Sequence, residues 1–536
     1  MGSTELGASA RRWISADPDP ATRTELRALL DADAPELAER MAGMPRFGTA
    51  GLRAPVRAGP NGMNVAVVRR ATWGLARWLA ERGHTGARVV VGRDARHGSR
   101  EFAEATAGVL AAAGFEVLAL GAPLPTPVLA YAVRTTAAVA GVQITASHNP
   151  PSDNGYKVYL GTSSPDDLGV GAQIVAPIDT EIEASITASP PASEIAVTPV
   201  DPTDPTALLT GYLDRVAAQA ATSRRADRGG LRIAVTALHG VGNDVVVRAL
   251  RLAGFTDVHT VVEQSDPDPD FPTVGFPNPE EPGACDLLLA LAAEVKADIA
   301  IALDPDADRC AVGVPGESGW RMLSGNETGA LLGEHLMARR ASDDPLVATT
   351  LVSSRLLSAL AAERGARYAE TPTGFKWIVR AGPGLVFGYE EALGYCVDPD
   401  AVRDKDGISA ATVVADLAAT RLAAGSSLAG MLDEQAVRHG VHHTVAVTVR
   451  VDARRRAELL DRLAQRLDQQ VPDVFVLRGP GTRAVIRPSG TEPKLKAYLE
   501  AVVPVENAAA LPEAKQRAAE LVANLTGEVR ELLAAR

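Results

Sequence analysis

One pattern recurs along this chain and limits what it can fold into. A short run rich in valine, isoleucine and alanine stops abruptly in a polar or glycine-containing loop, and a stretch with helical spacing follows. The runs fall at residues 87–94, 139–148, 231–240 and 297–309, and again at 346–354, 385–391 and 483–490. Between them lie segments such as 99–113 and 328–341, rich in alanine and leucine at helical spacing. Apolar strands alternating with helices predict sheets covered by helices on both faces. Ligands in such folds bind beyond the carboxyl ends of the strands, so the loops that end the runs are where chemistry is expected.

The 536 residues exceed the roughly 250–300 at which one hydrophobic core stops growing, and length alone suggests three or four domains. With aromatics at only 4%, the cores must be built from Ala, Leu and Val, which suits layered α/β packing. The expected class is therefore α/β, with three related mixed-sheet α/β domains at 1–205, 206–322 and 323–439. A last unit at 440–536 reads as α+β, because HHTVAVTVR alternates as a half-buried strand should. Residues 187–207, rich in Pro, Ser, Thr and Asp, fit a linker; the proline-rich 265–283 fits a long loop inside the second domain.

The formal charge is −12, which repels phosphate at long range and argues against nucleic acid as a partner. An anionic substrate would then need local clusters of Arg and Lys. Cys285, Cys310 and Cys396 are widely spaced with no CxxC, so neither a disulfide framework nor a cysteine zinc site is expected. The start MGSTELGASARRW is not a signal or lipidation sequence, and no apolar run reaches membrane-span length. The expectation is a cytoplasmic protein with small-molecule partners and no membrane, as a monomer or homodimer.

Three loops carry residues suited to phosphoryl chemistry. In TASHNPPSDNGYKVY (145–159), Ser147 follows a strand beside His148, with Lys157 further on; it is either a turn residue or a nucleophile or phosphoryl carrier. In DPDADR (304–309), Asp304, Asp306 and Asp308 present alternating carboxylates that would repel one another without a cation, and oxygen ligands alone favour Mg2+. An EF-hand is excluded, since Arg309 and Pro315 stand where its Gly and Glu belong. In RPSGTEPK (487–494), Arg487 and a glycine-containing loop can cradle an anion or form a surface turn. Smaller segments add Arg53 in FGTAGLR, Lys376 in TPTGFK, and Glu390 and Glu391 in GYEEALG, where the carboxylates suit either sugar hydroxyls or a helix start. His239, at the end of another strand, suits a structural imidazole bond at least as well as an active-site role. Such a set, brought together by folding, suits phosphoryl transfer.

The order and wording of these motifs resemble the phosphohexomutase superfamily, the phosphoglucomutases and phosphomannomutases, across nearly the whole chain. The resemblance implies four domains around a central cleft. It implies that Ser147 carries the phosphoryl group as phosphoserine, and that Mg2+ is held by Asp304, Asp306, Asp308 and an oxygen of phosphorylated Ser147. Arg53, His148 and Lys157 would lie near the reacting oxygen, and Arg309 beside the metal. Thr373, Gly374, Lys376, Glu390 and Glu391 would address the sugar, while Arg487, Ser489, Gly490 and Thr491 would grip its non-reacting phosphate. Glucose 1,6-bisphosphate would serve as intermediate and activator. FGTAGLR and GYEEALGY resemble the branch holding phosphoglucomutases and phosphopentomutases, and the expected substrate is glucose phosphate, with mannose or pentose phosphates as alternatives. Ala392 departs from the family's sugar loop, which commonly has serine there. A phosphatase sharing the phosphoserine and a non-catalytic sugar-phosphate sensor are the competing readings.

Overall fold

The strand Ala140–Ile144 is buried at every position, as a strand covered on both faces must be. Burial of every side chain is what its sequence AGVQI allows: only Gln143 is polar, and its amide donates to the Leu124 carbonyl (3.0 Å). The same rule gives the strands Ile299–Leu303 and Leu346–Thr350, each buried throughout. The computed structural model describes residues 3–220, 228–317, 319–339, 344–451, 453–471, 473–488 and 494–534. Of these, residues within 1–224, 228–313 and 398–415 pack as one unit, and those within 314–397 and 416–536 as another.

The first unit contains two α/β layers. Its first sheet runs in the order Leu52–Pro55, Asp153–Leu160, Ala140–Ile144, Arg88–Arg93, Glu116–Ala119. Ala140–Ile144 pairs in parallel with Arg88–Arg93 and antiparallel with Asp153–Leu160, so the sheet is mixed. The second sheet places Ile299–Leu303 between the parallel Arg232–Thr236 and the antiparallel Cys310–Gly316. Residues 187–207 lie against the first sheet: Thr203 donates to the Ala119 carbonyl (2.7 Å) and Thr198 to that of Gly108 (2.9 Å), with Ala192 and Ile195 buried. The apolar Ala192 and Ile195 within this polar stretch explain why it docks.

The second unit also has two sheets. One is four-stranded and mixed, in the order Arg367–Thr371, Leu346–Thr350, Leu385–Glu390, Gly394–Cys396. The other is five-stranded and antiparallel, led by the ladder of Val441–Arg450 against Lys494–Val503. The helix Leu511–Ala534 buries Leu511, Ala514, Ala518, Val522, Leu525, Val529 and Leu533, a three-to-four spacing that puts one stripe in contact with the core. The chain therefore has three α/β domains and a C-terminal α+β domain.

Within this unit Glu500 is 3% exposed and receives Ser354 Oγ (2.7 Å), the Arg355 backbone N–H (2.9 Å) and Arg355 Nε (2.9 Å). His442 Nδ1 lies at 3.0 Å and Arg483 Nη2 at 3.4 Å. Burial raises its carboxyl pKa, but the hydrogen bond and charge of His442, then Arg483 and Ser354, outweigh it and hold the group at about 2 against an ordinary 4.5. A depressed carboxyl stabilises the fold fully above its unfolded pKa and loses that contribution as pH falls toward the folded value. The loss is of order about 3 kcal/mol between pH 4.5 and 2. Thermal melts between pH 6 and 3 should show Glu500→Gln less stable at the upper end and less acid-sensitive than the parent; parallel curves would refute this. Among the described residues no single helix is long and apolar enough to cross a membrane.

Candidate active site

Ser147 sits just past the end of Ala140–Ile144 with φ +54° and is 1% exposed. A non-glycine residue in this left-handed region is uncommon and is held by its surroundings. Its N–H donates to Thr145 Oγ1 (2.9 Å), and its hydroxyl donates to Asp304 Oδ2 (2.8 Å) and lies 3.2 Å from His148 Nδ1. Burial, then the neighbouring Arg309 and Arg53 guanidiniums, push the His148 imidazole well below its ordinary pKa. Arg53 Nη1 donates to Asn149 Oδ1 (2.9 Å) and so joins the serine loop.

The carboxylates come from the turn between Ile299–Leu303 and Cys310–Gly316, where Leu303 and Cys310 are paired. Ala307 turns the chain with φ +55°. Asp304, Asp306 and Asp308 are fully buried, and their ligating oxygens lie within 4.8 Å of one another. Lys157 Nζ, itself buried, donates to Asp306 Oδ2 (2.6 Å) and Asp308 Oδ2 (2.8 Å). Thr126 Oγ1 also donates to Asp306 Oδ2 (2.6 Å), and the Arg309 N–H to Asp304 Oδ1 (3.0 Å). Burial opposes charge on Lys157, yet Asp306 and then Asp308 hold its pKa above the ordinary value. Burial followed by the Asp306 and Asp308 charges raises Asp304 well above the carboxylate range.

These residues fit a divalent cation. Asp306 Oδ1 and Asp308 Oδ1 are buried with no hydrogen-bond partner among the described residues, and uncompensated buried carboxylate oxygens are costly. The donors are all hard oxygens, as Mg2+ prefers. Gly240 lets a neighbouring loop approach, since a Cβ there would lie 2.3 Å from Pro305 Cα, and Val241 N–H donates to the Pro305 carbonyl (2.9 Å). His239, in that same loop, is hydrogen-bonded to Thr273 Oγ1 (2.8 Å), a structural contact.

Two residues escaped the sequence reading. Lys405, 4% exposed, places Nζ 3.1 Å from Asp308 Oδ2 and 3.2 Å from Asp404 Oδ1. Asp404 in turn accepts from Tyr159 Oη (2.7 Å) and Gln173 Nε2 (2.7 Å), and Asp406 from Tyr212 Oη (2.8 Å). No local signal marks Lys405, because its partner Asp308 is far away in sequence. Arg96 braces the serine loop: its guanidinium donates to the carbonyls of Ser147 (2.6 Å), Asn149 (2.6 Å), Pro150 (2.8 Å) and Asp153 (3.1 Å). Phe271 packs under it, 5.0 Å from ring centre to guanidinium carbon. Its signal was available, since GRDAR ends the strand Arg88–Arg93 as the other chemical loops end theirs. Arg96→Ala should lower kcat by roughly 10–100-fold with little change in KM, because a displaced serine loop costs orientation rather than affinity. Steady-state kinetics separate the two, and a purely KM effect would contradict the positioning role.

In the second unit, Thr373 and Gly374 precede the short helix Phe375–Ile378, with Gly374 at φ +118° and Lys376 inside the helix. Glu390 ends the buried strand Leu385–Glu390. Glu391 Oε2 accepts from Thr350 Oγ1 (2.9 Å) and Ser353 Oγ (3.1 Å), so that oxygen already has two hydroxyl donors. Arg487 lies one residue before the end of the strand Thr482–Pro488, with Nη2 donating to Tyr498 Oη (3.0 Å). The expectations for Ser489, Gly490 and Thr491 lie outside the described residues.

A strand-end serine against a buried triad of aspartates, on this fold, defines the class as a magnesium-dependent phosphosugar mutase. Family models for phosphoglucomutase/phosphomannomutase α/β/α domains I, II and III match residues 44–190, 210–317 and 324–438, and that for the C-terminal domain matches 447–517. The chain belongs to this family, the alpha-D-phosphohexomutase superfamily, in its phosphoglucomutase and phosphopentomutase branch. It is 41% identical over 465 residues to a Haemophilus influenzae protein named a probable phosphomannomutase, covering 82% of this chain and 93% of that one. It is 33% identical over 583 residues to a Homo sapiens phosphopentomutase, covering 94% and 93% of the two. A solved phosphoglucomutase/phosphomannomutase family protein from Burkholderia thailandensis shares the fold with TM-score 0.67 at 21% identity, over 89% of this chain and 98% of that one.

Proposed function

We propose that this chain interconverts the 1- and 5-phosphates of a pentose, with Ser147 as the phosphoryl carrier. The observation that supports a pentose over the glucose expected from motif wording is the similarity, across nearly the full length of both chains, to a relative named phosphopentomutase. Ala392 is consistent with this, because it offers no hydroxyl to a larger sugar. Mannose phosphate is the second reading, favoured by the more identical Haemophilus influenzae relative.

In the proposed cycle the phosphorus–Oγ bond at Ser147 breaks as a phosphorus–oxygen bond forms to the free hydroxyl of the sugar monophosphate. The hydroxyl proton passes to a nearby base. His148 is placed for this, with Nδ1 3.2 Å from Oγ; Lys157 and Arg53 would hold charge around the reacting group. The sugar bisphosphate turns over and returns its other phosphoryl group to Oγ. Asp304, Asp306 and Asp308, with an oxygen of phosphorylated Ser147, would hold Mg2+, whose charge stabilises the transferring group when bound. Arg309 would assist beside them. Thr373, Gly374, Lys376, Glu390 and Glu391 are proposed to recognise the sugar, and Arg487, Ser489, Gly490 and Thr491 its second phosphate.

Initial rates with ribose, mannose, glucose and glucosamine monophosphates, each primed with its bisphosphate, test the reading. The highest kcat/KM should be for ribose phosphate. A higher value for mannose or glucose phosphate would reassign the sugar, and release of inorganic phosphate matching substrate loss would replace the mutase by a phosphatase.

A further inference from the structure

Away from the serine and aspartate loops, the first unit contains a groove-like cavity of about 830 Å3. It lies between the helix Ser3–Ala16 and the helix Ile178–Thr187. Its volume falls in the range of small-molecule sites. Arg12, Arg46 and Arg70 line it. Glu183 is the only carboxylate among its lining residues, and its Oε1 already accepts the Phe47 N–H (2.6 Å). In a chain of net charge −12, an excess of cations in one concavity is a local reversal of the overall field.

The polar groups there are arranged for a ligand. Arg12 and Arg46 are exposed, and no hydrogen bond or ion pair engages either guanidinium among the described residues. Trp13 Nε1 is shielded from solvent and finds no hydrogen-bond partner among them; a buried unpaired indole N–H is an unmet donor. The Arg70 guanidinium lies over the Trp13 ring at 5.8 Å and is fixed by donation to Ser189 Oγ (2.7 Å). Trp13, Met44 and Pro191 add flat apolar wall. A wall for a planar ring beside two unpaired guanidiniums describes a ligand that is aromatic at one end and anionic at the other.

We propose that this cavity binds a nucleoside monophosphate, with the phosphate on Arg12 and Arg46 and the base against Trp13 and Arg70. The family model of domain I begins at residue 44, so Arg12 and Trp13 precede the segment it matches. The proposal is independent of the sugar assigned above.

Calorimetric titration of the full chain with adenosine monophosphate is expected to show one saturable site. The double variant Arg12→Glu, Arg46→Glu should weaken it by about tenfold or more, since each charge-assisted bond lost costs about that factor. Both side chains are exposed, and an unchanged melting temperature would confirm that the variant folds. Adenosine should bind at least about tenfold more weakly than the monophosphate for the same reason. Absence of saturable binding at millimolar adenosine monophosphate would overturn the proposal. So would binding that the double variant retains, which would place the nucleotide elsewhere. Equal binding of inorganic phosphate and the nucleotide would overturn the part assigned to the ring.

Discussion

Alanine at Ser147 is expected to reduce phosphosugar interconversion by roughly 10^4-fold or more, the scale seen when the nucleophile of a concerted site is deleted. The hydroxyl is the only group proposed to form a bond to phosphorus, so no neighbour can substitute for it. The variant should fold: Ser147 already occupies a left-handed conformation, and alanine adopts it at similar cost. What alanine removes is the contact with Asp304 Oδ2 and the approach of His148 Nδ1. Incubating wild type with labelled sugar bisphosphate should leave label on the protein, and Ser147→Ala should leave none. Residual labelling of the variant at the wild-type level would move the carrier to another side chain and sink the assignment.

Comparable in size is the effect of disabling the aspartate triad. Chelation should abolish turnover and Mg2+ should restore it, while Asp306→Asn should lower kcat by roughly 10^3-fold, the scale of losing a principal electrostatic stabiliser. Asp306 Oδ2 is committed to Lys157 and Thr126, whereas Oδ1 has no hydrogen-bond partner among the described residues. An amide at this position removes one negative charge beside the Lys157 ammonium and weakens the cation site. Stability provides a second readout: a cation that binds only the folded chain adds about 2.7 kcal/mol at one hundred times its dissociation constant. Melting temperature should therefore rise with Mg2+ in wild type and much less in Asp306→Asn. Full activity in the presence of chelator would rule the metal out.

Much of this architecture could be read from residues alone, for a physical reason. A strand buried on both faces leaves little room for polar residues, so AGVQI and IAIAL announce themselves, and the loops that end them stand out by contrast. The three aspartates were legible because their carboxylates lie within a few consecutive residues, whereas Ser147 by its letters alone could be a turn residue and meets Asp304 only through the fold. Lys405 was not, because its meaning depends on Asp308 and Asp404 meeting in three dimensions. Arg96 looked like one more charged residue after a strand; its four carbonyl acceptors come from a loop some fifty residues later. Residues 187–207 carried a linker's composition, and the buried Ala192 and Ile195 hold them down instead.

The return of residues 398–415 to the first unit has a consequence for dissecting the chain. A fragment ending before Asp398 would keep Ser147 and all three aspartates yet lose Lys405, one of the two lysines that meet Asp308. It would also leave the buried hydroxyl of Tyr159 without its carboxylate acceptor. The unit that holds Ser147 and the aspartates is therefore not a portable module: the contacts around Asp308 are completed only after the ribosome has added nearly a hundred residues beyond that turn.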